Sequence, residues 1–333
     1  MPQGELAQVL RGVADPANDR LLVGPLTLDD AGVVILGEGE GLPTGTELAL
    51  VQTVDFFPPV VDDPYMYGAI AAANALSDVY AMGGRPVTAL CLAGFPEDFD
   101  REWMGQIFKG GFDKVRESGA VLAGGHTVES EVQFGFSVTG TVQRRLISTN
   151  AGARDRDVAY LTKPLGMGTM TTAAKFGKVS QAELAPAAQQ MATLNDRAAE
   201  AMNAVGGTVA TDITGFGLVG HGLNIAKASD LCFHIDMAAV PIFDGAYELA
   251  KKGLLSGGAK RGKANVGQHV HAPGHVDATL ENLVYDAETS GGLLIVVPED
   301  DAAALEDQLA QRDLPVHRVG SFAKRTSAYV SLD

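Results

Sequence analysis

TDITGFGLVGH, from Thr211 to His221, admits more than one fold. Gly215, Gly217 and Gly220 spell G-x-G-x-x-G, a short strand candidate at 208–211 precedes them and a helix pattern starts near Phe216. Asp236 ends the next strand about where a ribose-binding acid would stand, so a literal reading gives a dinucleotide-binding, NAD-dependent oxidoreductase. Two features count against it. The preceding strand is short and ends in polar Thr211-Asp212 instead of flowing into the first glycine. That fold would also leave unused a set of acids elsewhere in the chain.

Those acids sit where surface patterning does not put them. Asp29 and Asp30 close the stretch LLVGPLTLDD (21–30) and run straight into a strand pattern at 31–36. Asp55 ends the apolar run ELALVQTV (47–54), and Asp78 lies in a helix pattern almost free of charge. Asn74 and Asp78, spaced i and i+4, share one face of that helix. A hydrogen-bonded structural pair is one reading of them. Carboxylates at strand ends and in an apolar helix are otherwise costly unless paired or bound to a cation. Oxygen-only ligands favour a hard metal, Mg²⁺ before zinc. Beside glycine-rich turns, such a site suggests nucleotide phosphate chemistry.

With 333 residues, 46% of them apolar and 20% charged, the chain has material for two soluble domains with cores of their own. A formal net charge of −16 argues against nucleic acid or an acidic membrane as the main partner. No apolar run approaches the roughly 20 residues of a membrane span. No secretory leader pattern opens the sequence, which points to the cytoplasm. Cys91 and Cys232 lie far apart in apolar runs and read as two buried thiols.

Strand patterns at 31–36, 47–54, 87–94 and 132–143 alternate with helix patterns at 64–82 and 100–118. The polar stretch 144–156 reads as a linker, placing a domain boundary between 1–150 and 151–333. A strand begins at Asp157, followed by a long helix at 181–204, strands at 208–211 and 231–236, a strand at 291–297, a helix at 299–311 and two short strands near 315–321 and 327–331. Both halves are α/β or α+β. Residues 255–275, rich in Gly, Lys, Arg and His, read as a long loop. Gly124-Gly125-His126 follows the run Ala120–Ala123 and is either a plain turn or a place where backbone N–H groups meet a phosphate. Asp286-Ala-Glu-Thr-Ser-Gly-Gly-Leu-Leu294 is a phosphate nest or a tight turn.

Together the segments LLVGPLTLDDAGVV, QTVDFFPPVVDDP, AAANALSDVYAMGGRP, LAGGHT, LTKPLGMG, TDITGFGLVGHG and DAETSGGLL, in that order, resemble the selenophosphate synthetases (selenide, water dikinases) over nearly the whole chain. The wider superfamily holds aminoimidazole ribonucleotide synthetase, thiamine-phosphate kinase and a hydrogenase maturation protein. The resemblance implies a two-domain α/β fold whose N-terminal sheets pair across a homodimer into a barrel. It also implies conversion of ATP, selenide and water into selenophosphate, AMP and phosphate. Carried onto this chain, Asp30, Asp78 and Asp212 would hold Mg²⁺, with Asn74 in support. Thr27, Leu28, Asp29, Asp55 and Asp78 would line the ATP site. Gly124, Gly125 and His126 would reach ATP, in the partner subunit. The G-x-G-x-x-G then becomes a helix entrance beside a metal-bearing Asp212.

The family carries a Cys or selenocysteine, and shortly after it a catalytic Lys, in a glycine-rich segment that would end just before Pro2. Here that segment would lie before Met1, and neither Cys91 nor Cys232 takes its place. The expectation from sequence is that the chain as given binds ATP but fails to make selenophosphate. No role is carried to Lys260, Arg261 or Asn265. Rival readings are another ATP-dependent enzyme of the superfamily, the NAD-dependent oxidoreductase and a non-catalytic nucleotide-binding partner.

Overall fold

The computed structural model describes residues 18–24, 28–206 and 209–333. Two sheets are built in succession. The first takes β1 (Leu21–Val23), β2 (Gly32–Leu36), β3 (Leu48–Phe57), β4 (Arg85–Phe95), β5 (Val121–Glu129) and β6 (Gln133–Val142) in the order β1-β2-β3-β6-β4-β5. All its pairings are antiparallel except β4 with β5. Helices α1 (Pro64–Ala81) and α2 (Arg101–Glu117) cover one face. Asp63 starts α1 by accepting the Met66 N–H at 2.9 Å, with Pro64 in the first turn, where its missing N–H costs nothing. Every residue of α1 from Tyr67 to Ala81 is buried. A helix apolar all round belongs inside, and α1 lies between the first sheet and the second half of the chain.

Among the described residues nothing covers the other face of the first sheet. Cross-strand register puts Val54, Ser137 and Leu90 in one row and Phe56, Gly135, Leu92 and His126 in the next. Val54 and Phe56 are each 53% exposed, Leu90 46% and Val128 50%, so this surface is apolar and open.

The second half contributes β7 (Val158–Leu161), α3 (Met167–Lys175), α4 (Gln181–Ala192), α5 (Asp196–Ala204), β8 (Val209–Asp212), α6 (Gly217–Ser229), β9 (Leu231–Ile235), α7 (Ala246–Lys251), α8 (Gly257–Val266), β10 (Val270–His271), α9 (Ala278–Val284), β11 (Leu293–Val297), α10 (Ala302–Ala310), β12 (Arg318–Lys324) and β13 (Val330–Leu332). The sheet order is β10-β13-β9-β12-β7-β11-β8. The run LLIVV of β11 is buried on both faces: Leu293, Ile295 and Val297 join the core shared with α1, while Leu294 and Val296 join a second core under α6. The first core is continuous from Ala72 on α1 to Ile295 on β11, so the two halves share it.

Four readings of the sequence need correction. The stretch 255–275 is not a loop: Ser256 caps α8 through its bond to the Gly258 N–H at 3.0 Å, and Lys263 pairs with Glu281 of α9 at 2.7 Å. Gly124-Gly125-His126 is no turn but the middle of β5, where a Cβ on Gly125 would stand 2.2 Å from the Cys91 carbonyl oxygen. The helix expected at 181–204 breaks between Ala192 and Asp196, where Asn195 spends its amide on Ser77 and on the Gly291 carbonyl. The linker 144–156 is packed, with Ser148 and Asn150 buried.

The dinucleotide reading fails on topology. β8 pairs with β11 antiparallel, where a dinucleotide fold needs parallel neighbours. Asp236 follows β9, which lies four strands away from β8 in the sheet.

Candidate active site

Thr53 and Asp55, two apart on β3, point to the helix-covered face, as the period of a strand requires. Asn74 and Asp78, one turn apart on α1, meet them. Asn74 Nδ2 donates to Asp55 Oδ2 at 2.6 Å, and the Thr53 hydroxyl donates to Asp78 Oδ2. Ser77, on the next face of the helix, lies beside Asp212 at the end of β8. Asp30 arrives from the turn between β1 and β2 and accepts the Thr211 hydroxyl at 2.8 Å. That turn is pinned by Asn150, whose N–H donates to Asp29 Oδ1 at 2.6 Å and whose Nδ2 donates to the Leu28 carbonyl at 2.8 Å. Leu28 holds a left-handed φ of 54° there.

The structure therefore brings Asp30, Asp55, Asn74, Asp78 and Asp212 into one cluster, with Asn74, Asp78 and Asp212 buried, Asp30 and Asp55 partly buried, and Leu28 and Asp29 on the adjoining turn. Thr27 lies outside the described residues, as do 1–17. Gly124, Gly125 and His126 are not brought to the cluster: β5 is the edge strand, and His126 shares the open face with Phe56 and Leu92. Cys91 and Cys232 are buried free thiols, and burial pushes Cys91 to about 12, so it stays protonated.

Four carboxylates in one buried place strain each other's ionisation. Burial, and then the neighbouring charge of Asp212, drive Asp30 well above the usual carboxylate range. Asp78 is driven up by burial and by Asp212, Asp55 and Asp30 in turn. Asp55 rises to about 7 through burial and Asp212. Asp212 rises to about 6 through burial, with a hydrogen bond from Ser77 and the charge of Lys163 opposing it. Lys163 is itself buried, which lowers it to about 7, and its ammonium donates to the carbonyls of Thr193 at 2.7 Å and Ser290 at 3.0 Å.

Two oxygens of the cluster, Asp30 Oδ2 and Asp212 Oδ2, are buried without any hydrogen-bond partner. A carboxylate oxygen left bare in a protein interior costs several kcal/mol, on the order of the full desolvation penalty, unless a cation completes it. Among the described residues no three His, Cys, Asp or Glu side chains converge tightly enough to ligate one ion unaided. Mg²⁺ does not require that: it keeps several waters and takes one or two carboxylates together with substrate phosphates. The donor set is all oxygen, as Mg²⁺ prefers.

Sequence reasoning missed the neutral groups that bond the acids, Thr53, Ser77, Asn150 and Thr211, and those that bond Ser77 and Asn74 in turn, Asn195 and Ser290. Ser, Thr and Asn in loops and helices carry no local mark of a long-range bond. Lys163 did carry one: a lysine directly after the apolar run VAYLT is a buried charge in the making.

Residues 28–142 match the family model of the AIR synthase related protein N-terminal domain, and residues 155–333 match that of its C-terminal domain. A selenide, water dikinase of Clostridioides difficile (strain 630) is 42% identical over 332 residues, covering 98% of this chain and 92% of the relative. Selenide, water dikinase 2 of Peptoclostridium acidaminophilum is 44% identical over 306 residues, covering 92% and 86%. Among solved structures, the thiamine-monophosphate kinase of Stenotrophomonas maltophilia K279a superposes with a TM-score of 0.68 over 100% of this chain and 98% of its own. Its sequence identity is 20%, so that likeness concerns the fold.

Proposed function

This chain belongs to the AIR synthase related family and, within it, to the selenide, water dikinases, and from that premise we propose how its acidic cleft works. The activity is the ATP-dependent synthesis of selenophosphate from selenide and water, with release of AMP and phosphate. Two phosphoanhydride bonds of ATP are broken: one phosphoryl group passes to selenide and the other to water. The observation that carries the site assignment is the pair of bare, buried oxygens on Asp30 and Asp212, drawn from the two halves of the chain.

Asp30, Asp78 and Asp212 hold Mg²⁺, which when bound neutralises phosphate charge and orients the transferring group. Asn74 keeps Asp55 turned toward that site, and Thr211 and Thr53 orient Asp30 and Asp78. The turn carrying Leu28 and Asp29 lies against the phosphates of ATP, together with Asp55, and Thr27, next to Leu28 in sequence, is assigned to the same site. The division of labour follows the proposed boundary near residue 150: the first half supplies most of the nucleotide contacts and the second supplies Asp212.

The open apolar face of the first sheet is where two copies meet. Val54, Phe56, Leu90 and Val128, on β3, β4 and β5 of the same sheet, are each about half exposed, and an open apolar face of this kind marks an interaction surface. In such a homodimer the β5 segment Gly124-Gly125-His126, with Gly124 and His126 on that face, serves the ATP of the partner. No helix among the described residues is long and apolar enough to cross a membrane. The cytoplasm is the compartment this reading favours.

Phosphorus NMR of the protein with ATP, Mg²⁺ and selenide under anaerobic conditions tests the reading. ATP consumption that depends on Asp212 is expected, with a selenophosphate resonance growing alongside AMP and phosphate when the family's glycine-rich Cys–Lys segment precedes Pro2, and lost there in Asp212→Asn. ATP turnover indifferent to Asp212→Asn would remove the acidic cluster from the chemistry.

A further inference from the structure

The segment Ser290-Gly291-Gly292, just ahead of β11, is held from several sides. Asn74 Oδ1 accepts the Ser290 N–H at 2.9 Å, and Asn195 Nδ2 donates to the Gly291 carbonyl at 2.9 Å. The Gly292 carbonyl accepts the Ile213 N–H at 2.9 Å. A Cβ on Gly291 would stand 2.1 Å from the Ile213 oxygen, and one on Gly292 only 2.4 Å from the Lys163 nitrogen, so both positions need glycine. Ser290 itself is not glycine, yet it holds a left-handed φ of 51°. Its hydroxyl is buried without a partner. A non-glycine residue in that conformation persists only where its surroundings impose it.

Lys163 is part of what imposes it. The residue is 4% exposed, and its ammonium is turned to two main-chain carbonyls, those of Ser290 and Thr193. Burying a cation for two carbonyls is costly, so the position has to return something. The bonds form one line: Lys163 Nζ to the Ser290 carbonyl, the Ser290 N–H to Asn74 Oδ1, and Asn74 Nδ2 to Asp55. The lysine is in the second half of the chain and the carboxylate in the first.

We propose that Lys163 is a positioning residue for the nucleotide-phosphate site: it holds the left-handed Ser290 turn, the turn holds Asn74, and Asn74 aims Asp55. This rests on the reading of Asp55 as part of that site. In this role Lys163 acts through the carbonyl of Ser290. The competing role is a pure counter-charge to Asp212, in which the turn plays no part.

The two roles separate in a double-mutant cycle. Ser290→Gly lets the turn keep its conformation without steric cost, and so makes it less dependent on Lys163. Lys163→Met is made in the native and in the Ser290→Gly full-length protein, and Mg-ATP affinity is measured by calorimetry alongside KM and kcat. In the native background, Kd and KM for Mg-ATP are expected to rise about tenfold, with kcat changed less than about threefold, the pattern of a lost binding geometry. In the Ser290→Gly background the same substitution is expected to cost less than about threefold. An equal loss in both backgrounds overturns the proposal and leaves the counter-charge. Where Lys163→Met folds poorly, Lys163→Gln, neutral but with one donor kept, replaces it in the same pair. A smaller loss, again relieved by Ser290→Gly, is expected, and an unrelieved loss overturns the proposal. If the native protein binds no Mg-ATP, the nucleotide site itself is wrong. The turn is then judged by a crystal structure of the Lys163→Met protein: loss of the Asn74–Asp55 bond upholds the linkage and its retention overturns it.

Discussion

The molecule buries two sets of carboxylates, and they differ in one respect. Glu288 Oε1 accepts the Gly166 N–H at 2.7 Å and its Oε2 the Met167 N–H at 2.9 Å, at the entrance of α3. Asp286 accepts the Thr169 hydroxyl at 2.8 Å, the Ala287 N–H at 3.0 Å and the Ser256 hydroxyl. Every oxygen of that pair is completed by the protein. In the Asp30–Asp55–Asp78–Asp212 cluster, Asp30 Oδ2 and Asp212 Oδ2 are completed by nothing. Burial raises the acids of both sets, Glu288 to about 8 and Asp55 to about 7. Perturbed acidity therefore does not tell a structural acid from a functional one here. What tells them apart is whether the protein finishes the hydrogen bonding or leaves a gap for a ligand.

Substitution should break the two sets differently. Asp212→Asn removes a charge the apo protein tolerates poorly, so the melting temperature should hold or rise while Mg-dependent turnover falls on the order of 10³-fold. Turnover within a few-fold of native would erase the contrast. Glu288→Ala should act the other way. It strands two buried N–H groups and should cost about 2–4 kcal/mol in denaturant unfolding, with Mg-ATP affinity per folded molecule retained. An unfolding free energy equal to native would show that the pair is dispensable.

The open sheet face supplies a third case, of apolar surface left incomplete. Phe56→Asp should turn a dimer into a monomer of about 35 kDa by sedimentation. A native protein that already sediments as that monomer would contradict the proposed interface.

The smallest effect is in the pH dependence of stability. Asp55 has an ordinary value of 3.8 and about 7 when folded, so the folded state binds more protons between those limits. Its contribution is fully present below about 4 and is lost as pH rises through about 7. Asp55→Asn should therefore lose less melting temperature than the native protein between about pH 5 and about pH 8 when Mg²⁺ is absent. Parallel curves would mean that Asp55 ionises freely in the folded state.

Much of this contrast is legible in the sequence, though unevenly. The strands β3, β4 and β6 and the helices α1 and α2 announce themselves through alternation, alanine-rich burial and glycine stops. Asp55 and Asp78 stand out because acids in apolar runs violate local patterning. The gap in the hydrogen bonding of Asp30 and Asp212 is not legible, since the bonds that complete the rest of the cluster, from Thr53 to Asp78, Asn74 to Asp55 and Thr211 to Asp30, span 19 to 181 residues of chain. Helix α8 hides behind Gly257-Gly258 and a run of cations that carry no periodicity; its Ser256 cap and its pairing with α9 override that composition. In β5, the glycines that suggest a turn are there because the strand passes close to the Cys91 carbonyl.

The central contrast is tested most directly by calorimetric titration of Mg-ATP into the native protein, Asp212→Asn and Glu288→Gln, each checked for folding by its melting temperature. Binding to the native and Glu288→Gln proteins, and its loss in an Asp212→Asn protein at least as stable as native, is the expected result. Undiminished Mg-ATP affinity in Asp212→Asn would contradict the assignment of the bare carboxylate oxygens to a nucleotide-bound cation.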